Sequence, residues 1–185
     1  MDWIKRLDKV TQSIHEEFSQ LNESELNTKP GPNSWSIAQV IDHLMVINSS
    51  YFPMLDDLRA GRYKAPFTSK IGFLVNMFGN LILKSTLPEN KKKVKTFPIW
   101  EPSQSEISAD VIERFRIHQD ELKHEIQASN DWVKNGAVIH SPANRNVVYK
   151  LETAFEIIVT HEERHLQQAR EILNQVRDYS SQARD

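Results

Sequence analysis

The chain has 185 residues, of which 39% are hydrophobic and 26% charged, a composition typical of a globular domain. Its formal net charge is −2, so no overall basic field favours binding to nucleic acid. It contains no cysteine, which excludes disulfides, cysteine-ligated zinc and a cysteine nucleophile. The first residues carry mixed charge rather than an apolar signal segment, and we expect a cytoplasmic protein.

Four segments show the apolar spacing of amphipathic helices. They run from about Trp3 to Leu21, from Ser36 to about Tyr51, from about Ser105 to Ala128 and from about Tyr149 to Val176. Ser36, with Gln39 three residues later, fits a capping box at the start of the second helix. Pro53 is expected to kink or end that helix, because proline cannot donate a backbone hydrogen bond.

A long connection, residues 61–102, separates the second helix from the third. Its apolar stretch Ile71–Leu83 predicts a short helix, too short to span a membrane, which needs about 20 apolar residues. That stretch can cover a pocket, form a dimer face or pack in the core, and the sequence leaves these alternatives open. The basic run 91–95 is interpreted as a solvated loop, since it is short and lacks interleaved aromatic residues. Connections of this length are usually functional.

These elements predict an all-α fold, a four-helix bundle with a long crossover connection between helices two and three. We expect one domain over residues 1–178. Residues 179–185 are predicted to be a frayed C-terminal tail.

The most informative feature of the last helix is the pair His161 and His165. Side chains four residues apart stand one above the other on a helix, so two imidazoles can chelate one cation. Both lie on an apolar stripe with Phe155, Ile158 and Ala169, and therefore point toward the core. A buried imidazole requires a hydrogen-bond partner or a metal, and two on one stripe favour the metal.

The string from His161 to His165 also fits the HExxH pattern of zinc proteases. Those enzymes take a third ligand downstream of the pattern, and only twenty residues follow His165. Glu171 lies on the same helix and cannot fold back onto the pair. The segment before the pattern shows no convincing strands, so the protease interpretation is disfavoured.

In a helical bundle, a third ligand can come from a facing helix. His43, on the inward side of the second helix, is the best candidate. The segment Pro32–Leu44, with its Trp35-Ser36 pair and His43, taken together with His161–Ala169, resembles the DinB-like superfamily. This superfamily includes the YfiT-type metal-dependent hydrolases and the bacillithiol- and mycothiol-dependent transferases. The resemblance covers about residues 3–176.

The resemblance implies a four-helix bundle that binds one divalent metal ion, zinc or nickel, through His43, His161 and His165. It also implies a small-molecule substrate and a possible homodimer. No nucleic-acid or membrane partner is expected, given the near-neutral charge and the short apolar stretch. The chemistry that the resemblance implies is hydrolysis or transfer of a low-molecular-weight thiol. The chain has no cysteine, so such a thiol would be an external cofactor. A non-catalytic metal- or ligand-binding stress protein remains an alternative, so whether the protein is an enzyme stays open. No catalytic residue is assigned.

Other polar and aromatic residues near these segments have less specific interpretations. Glu162 is offset by about 100° from His161 on a helix, and is interpreted as a surface carboxylate or one that supports the ligands, not as a catalytic base. His118 is interpreted as a core or pocket-rim residue, and Trp35 as packing at the start of helix two. Gln168 either orients His165 or is solvated. His15, His124 and His140 are interpreted as surface residues without a role.

Overall fold

The computed structural model describes residues 2–90 and 96–182, with side chains to residue 178. Most of this part of the chain is helical. Its α-helices are α1 (Trp3–Phe18), α2 (Glu23–Asn27), α3 (Ile37–Ser49), α4 (Phe52–Arg59), α5 (Gly72–Thr86), α6 (Val111–Ala128), α7 (Asn130–Lys134) and α8 (Leu151–Gln182). Two 3-10 turns cover Phe67–Lys70 and Pro98–Trp100, and two strands are β1 (Val138–Ser141) and β2 (Asn144–Lys150).

The long helices α1, α3, α6 and α8 pack against one another: α1 and α3 each contact both α6 and α8. Each helix contributes an apolar face, because its hydrophobic residues recur every three or four positions. Side chains such as Phe18, Leu44, Phe115 and Phe155 are fully buried between the helices. The apolar faces predicted from the sequence therefore form the core.

Two groups of ion pairs join α1 to α8 along their partly exposed edge. Near the start of α1, the Arg6 guanidinium donates to the carboxylates of Glu156 and Glu163 at 2.6–2.8 Å. Near its end, Glu17 accepts from Arg170. These contacts fix the register of α8, the helix that carries the histidine pair.

The helix that carries His43 begins as predicted. The Ser36 side chain accepts from the Gln39 backbone N–H, and the Gln39 side chain accepts from the Ser36 backbone N–H, each at 3.2 Å. This capping box satisfies two groups at the helix start. The helix ends at Ser49, and α4 begins at Phe52 with Pro53 in its first turn, where proline is tolerated.

The described residues are mostly helical, as the all-α prediction requires, and they add a small two-stranded sheet that was not predicted. The segment before α8, expected to be a loop, forms the antiparallel hairpin of β1 and β2, with Ile139 opposite Tyr149. Tyr149 is therefore the buried end of a strand, and its hydroxyl lies 2.9 Å from that of Tyr51. The last helix begins two residues later than expected, at Leu151. The third predicted helix begins at Val111 rather than near Ser105.

The long connection between the second and third predicted helices contains α5. This helix packs on β2 and α8, with Val75 and Gly79 buried. Its opposite face leaves Phe73 and Leu81 mostly exposed. The basic run 91–95 and residues 183–185 of the predicted tail lie outside the described residues. Among the helices that are described, none has the length and apolar character needed to cross a membrane.

Candidate metal centre

Three imidazoles meet between α3 and α8. His43 projects from α3, and His161 and His165 project from successive turns of α8. One ring nitrogen of each residue lies within 4.8 Å of the others. The ring centroids of His43 are 5.2 Å from His161 and 4.9 Å from His165. The structure thus brings together all three residues that the sequence analysis named as ligands.

The orientation of His43 is set by the connection before α6. Its Nδ1 lies 2.6 Å from the carbonyl oxygen of Trp100, so Nδ1 carries the proton and donates it. The other nitrogen, Nε2, is then the unprotonated one that can bind a cation. The ring is almost fully buried, and burial lowers its pKa, opposed by the hydrogen bond to Trp100. A neutral imidazole is the form that ligates metals.

The two histidines of α8 turn the same nitrogen toward each other. Their Nε2 atoms are 3.0 Å apart. Burial, together with the nearby imidazoles, lowers the pKa of His161 well below its usual value, and burial lowers that of His165 to about 3. Both rings are therefore neutral at pH 7. Their Nδ1 atoms are buried and find no hydrogen-bond partner among the described residues.

Three neutral imidazoles from two rigid helices form a donor set suited to zinc, nickel, copper or iron. Three protein ligands leave a coordination position open for water or substrate. The indole of Trp35 closes one side of the group, with its centroid 4.7 Å from that of His43 and 6.2 Å from that of His165. Trp35 also packs against the core, so it combines its predicted packing role with a place at the site.

Next to His161 in sequence, Glu162 faces another direction and is fully buried. Its Oε1 accepts from the side-chain amides of Asn48 on α3 and Gln119 on α6, each at 2.7 Å. Burial raises the pKa of Glu162 to about 7, against the lowering effect of these two hydrogen bonds. Of the two interpretations left open by the sequence, the surface position is excluded. The carboxylate links α8 to α3 and α6.

The remaining sequence candidates lie outside the group of three. His118 is buried and stacks on Phe52, with centroids 5.5 Å apart. Gln168 lies beside His165 and raises its pKa slightly, although His165 Nδ1 gains no full hydrogen bond from it. His15 and His124 are exposed, as expected. His140 is partly buried in β1 and stacks on Tyr63, so it is not a simple surface residue.

Two sets of polar partners were not predicted from the sequence: the Trp100 carbonyl, which contacts His43, and the amides of Asn48 and Gln119, which contact Glu162. Every residue carries a backbone carbonyl, so the identity of Trp100 gives no signal in the sequence. Asn48 and Gln119 are polar residues on faces that are otherwise apolar. Asn48 gives a usable signal, because it stands four residues after buried Leu44 and seven after Ile41, on the same stripe.

Comparison with known families identifies the superfamily of this chain. A family model described as the DinB superfamily matches residues 6–169. The chain therefore belongs to the DinB superfamily. Searches of curated proteins and of solved structures gave no match.

Proposed function

We propose that this DinB-superfamily protein is a metal-dependent enzyme of the cytoplasm that acts on a small molecule, with one divalent cation held by His43, His161 and His165. The observation that carries the proposal is the convergence of three neutral imidazoles from two helices within 4.8 Å. Zinc and nickel are the cations we favour, since both suit imidazole ligands.

The described residues prepare this site in three ways. Trp100 fixes the tautomer of His43, and burial keeps the histidines of α8 neutral. The indole of Trp35 shields one side of the three rings. A cation held there supplies Lewis-acid chemistry that turns a water or a thiol into a nucleophile at neutral pH. No side chain with a clear role as a proton acceptor for the reaction is assigned.

Two reactions fit such a site: hydrolysis, and transfer of a low-molecular-weight thiol to an electrophile. The chain has no cysteine, so a thiol would come from an external cofactor. A non-catalytic metal- or ligand-binding protein is the alternative. The same three histidines would serve it, and only turnover measurements separate the two.

The proposal extends to the architecture. We propose that α1, α3, α6 and α8 form a four-helix bundle of the family type, with the segment from α4 to α6 as its long crossover. Contacts of α1 and α3 with both α6 and α8 support this. We also propose a homodimer, supported by the exposed side chains Phe73 and Leu81, one face of α5. Sedimentation of the protein and of a Phe73→Ser/Leu81→Ser variant tests the dimer.

Metal analysis tests the site. Protein purified without a histidine tag is expected to hold about one zinc or nickel ion per chain, and His161→Ala and His43→Ala are expected to lose it while remaining folded. His15→Ala, which changes an exposed histidine, is the matched control and should keep the ion. Equal metal content in all four proteins would refute the assignment of ligands.

Turnover assays then separate the functions. Consumption of a chlorinated nitrobenzene only when bacillithiol or glutathione is added, and only by the metal-loaded protein, supports the transferase. Cleavage of ester or amide substrates without a thiol supports the hydrolase. A loaded protein that turns over neither panel supports the binding protein.

A further inference from the structure

A second polar cleft lies beside the histidine centre. It is open, has a volume of about 360 Å³, and is formed by the end of α3, the start of α4, the segment after α4 and the β-hairpin. Three cationic side chains line it, Arg62, Lys64 and Arg145. Asp57 is the one carboxylate in its lining.

The charges of this cleft are unbalanced. Arg62 pairs with Asp57 at 3.1 Å, which neutralises one cation. Arg145 donates to the backbone carbonyl of Lys64 at 2.9 Å, so its guanidinium is held at the rim without being neutralised. Within the described part of the chain, neither Lys64 nor Arg145 forms an ion pair. Two positive charges therefore face the cleft in a protein whose net charge is −2.

The other wall is aromatic and apolar. The ring of Tyr63 stacks on that of His140, with centroids 5.7 Å apart and 27° between planes. The Tyr63 hydroxyl accepts from the His140 backbone N–H at 3.0 Å, which fixes the aromatic ring. Pro53, Met54 and Pro142 complete this side. A flat apolar group fits such a surface, and its anionic end would meet the cations.

We propose that this cleft binds a small organic anion, a carboxylate or phosphate carried on a flat apolar group. The inference does not depend on a cation in the histidine centre, because the two sites share no residue. They are nevertheless neighbours. Ser50 lines the cleft, and its hydroxyl accepts from the indole N–H of Trp100 at 3.1 Å, the residue whose carbonyl orients His43.

Titration of the protein with phenylphosphonate, monitored by NMR through the backbone amide resonances, tests the proposal. We expect saturable shifts near Tyr63, His140 and Arg145, and affinity about fivefold above that of inorganic phosphate, as one buried apolar group provides roughly 1 kcal/mol. Affinity is expected to fall with added salt. The same titration of His161→Ala should give the same result, which separates this cleft from the metal centre.

A charge reversal provides the matched comparison. Lys64→Glu is expected to weaken phenylphosphonate binding about tenfold, because it replaces an attractive charge with a repulsive one. Lys9→Glu makes the same change in net charge at an exposed position on α1, and should leave binding within about twofold of the wild type. Equal weakening in both variants, shifts that never saturate, or equal affinity for phosphate and phenylphosphonate would overturn the proposal.

Discussion

At the scale of single residues, the most unusual group is the buried carboxylate of Glu162. It is adjacent in sequence to His161, yet its hydrogen bonds go to Asn48 and Gln119, away from the three imidazoles. Its second oxygen has no partner among the described residues. A buried polar group of this kind stabilises one arrangement of helices, because any other packing would leave its partners unpaired.

Replacing Glu162 tests that role. Glu162→Ala should reduce the free energy of unfolding by about 2–4 kcal/mol, since it leaves two buried amide groups unpaired and opens a cavity. Glu162→Gln keeps an accepting oxygen at nearly the same volume and should cost about 1 kcal/mol. Urea unfolding measures both. Glu171→Ala, at an exposed position on α8, is the control, and an Ala variant at 162 as stable as that control would contradict the role.

The buried imidazole of His118 makes the free energy of unfolding depend on pH. Burial lowers its folded-state pKa from 6.5 to about 4. As pH falls below 6.5, the His118 imidazole becomes protonated in the unfolded chain, whereas in the folded chain it stays neutral down to about pH 4. The stability that this neutral histidine contributes above pH 6.5 is therefore lost on acidification through this window, by about 2 kcal/mol at pH 5.

The variant His118→Phe removes the imidazole that takes up this proton in the unfolded chain. Its free energy of unfolding should fall less between pH 7.5 and pH 5 than that of the wild type, by about 2 kcal/mol, when both are measured with chelator present. If His118→Phe and the wild type show parallel curves, the ring is not held neutral.

At the scale of elements, the sequence predicted those parts whose signal is local. Apolar periodicity located the long helices, and the capping box located the start of α3. The hairpin was missed because β1 and β2 are short and the turn between them, around Pro142, carries no Asn-Gly or Asp-Gly signal. The start of α6 was misplaced because Ile107, which is buried outside any helix, lies four residues before Val111 and so extends the helical apolar spacing toward the N-terminus.

The candidate site likewise has one part that the sequence could predict and one part that it could not. Its three histidines were predictable, since residue type and helical spacing are both present in the sequence. The partner of His43 and the partners of Glu162 were not, because the Trp100 carbonyl and the amides of Asn48 and Gln119 reach their positions only through tertiary packing.

The contact of α5 with the rest of the protein depends on Gly79. A Cβ added there would meet Thr153 Cγ2 at 3.1 Å and Tyr149 Cβ at 3.3 Å. Gly79→Val should therefore push α5 away from α8 and β2, at a cost of about 1–3 kcal/mol. Hydrogen exchange should show lost protection in α5 first. Asn80→Val, one residue along on the exposed side, is the control, and equal effects in the two variants would contradict close packing at Gly79.

At the scale of the whole molecule, the three histidines connect helices that are distant in sequence. A cation bound only by the folded chain stabilises it by mass action, about 2.7 kcal/mol at a free concentration one hundred times Kd. For a protein of this size, zinc should raise Tm by about 5–10 °C, and a chelator should reverse the change. Differential scanning calorimetry measures it.

Two comparisons make the thermal measurement specific. The protein with His161→Ala should show the same Tm with and without zinc. Magnesium, which prefers oxygen ligands, should leave the wild-type Tm unchanged. A shift of equal size with magnesium would indicate binding elsewhere.

The hydrogen bond from His43 to Trp100 makes the orientation of one proposed ligand depend on a surface segment. That carbonyl belongs to the short 3-10 turn Pro98–Trp100, outside the long helices, and the side chains of Phe97, just before the turn, and Ile99, within it, are exposed. When the turn moves away, the imidazole loses the restraint on its tautomer and on its rotation. For the cation proposed above, the rate of exchange would thus be tied to the opening of this turn, and rigidifying the turn would slow exchange in both directions with little change in equilibrium affinity.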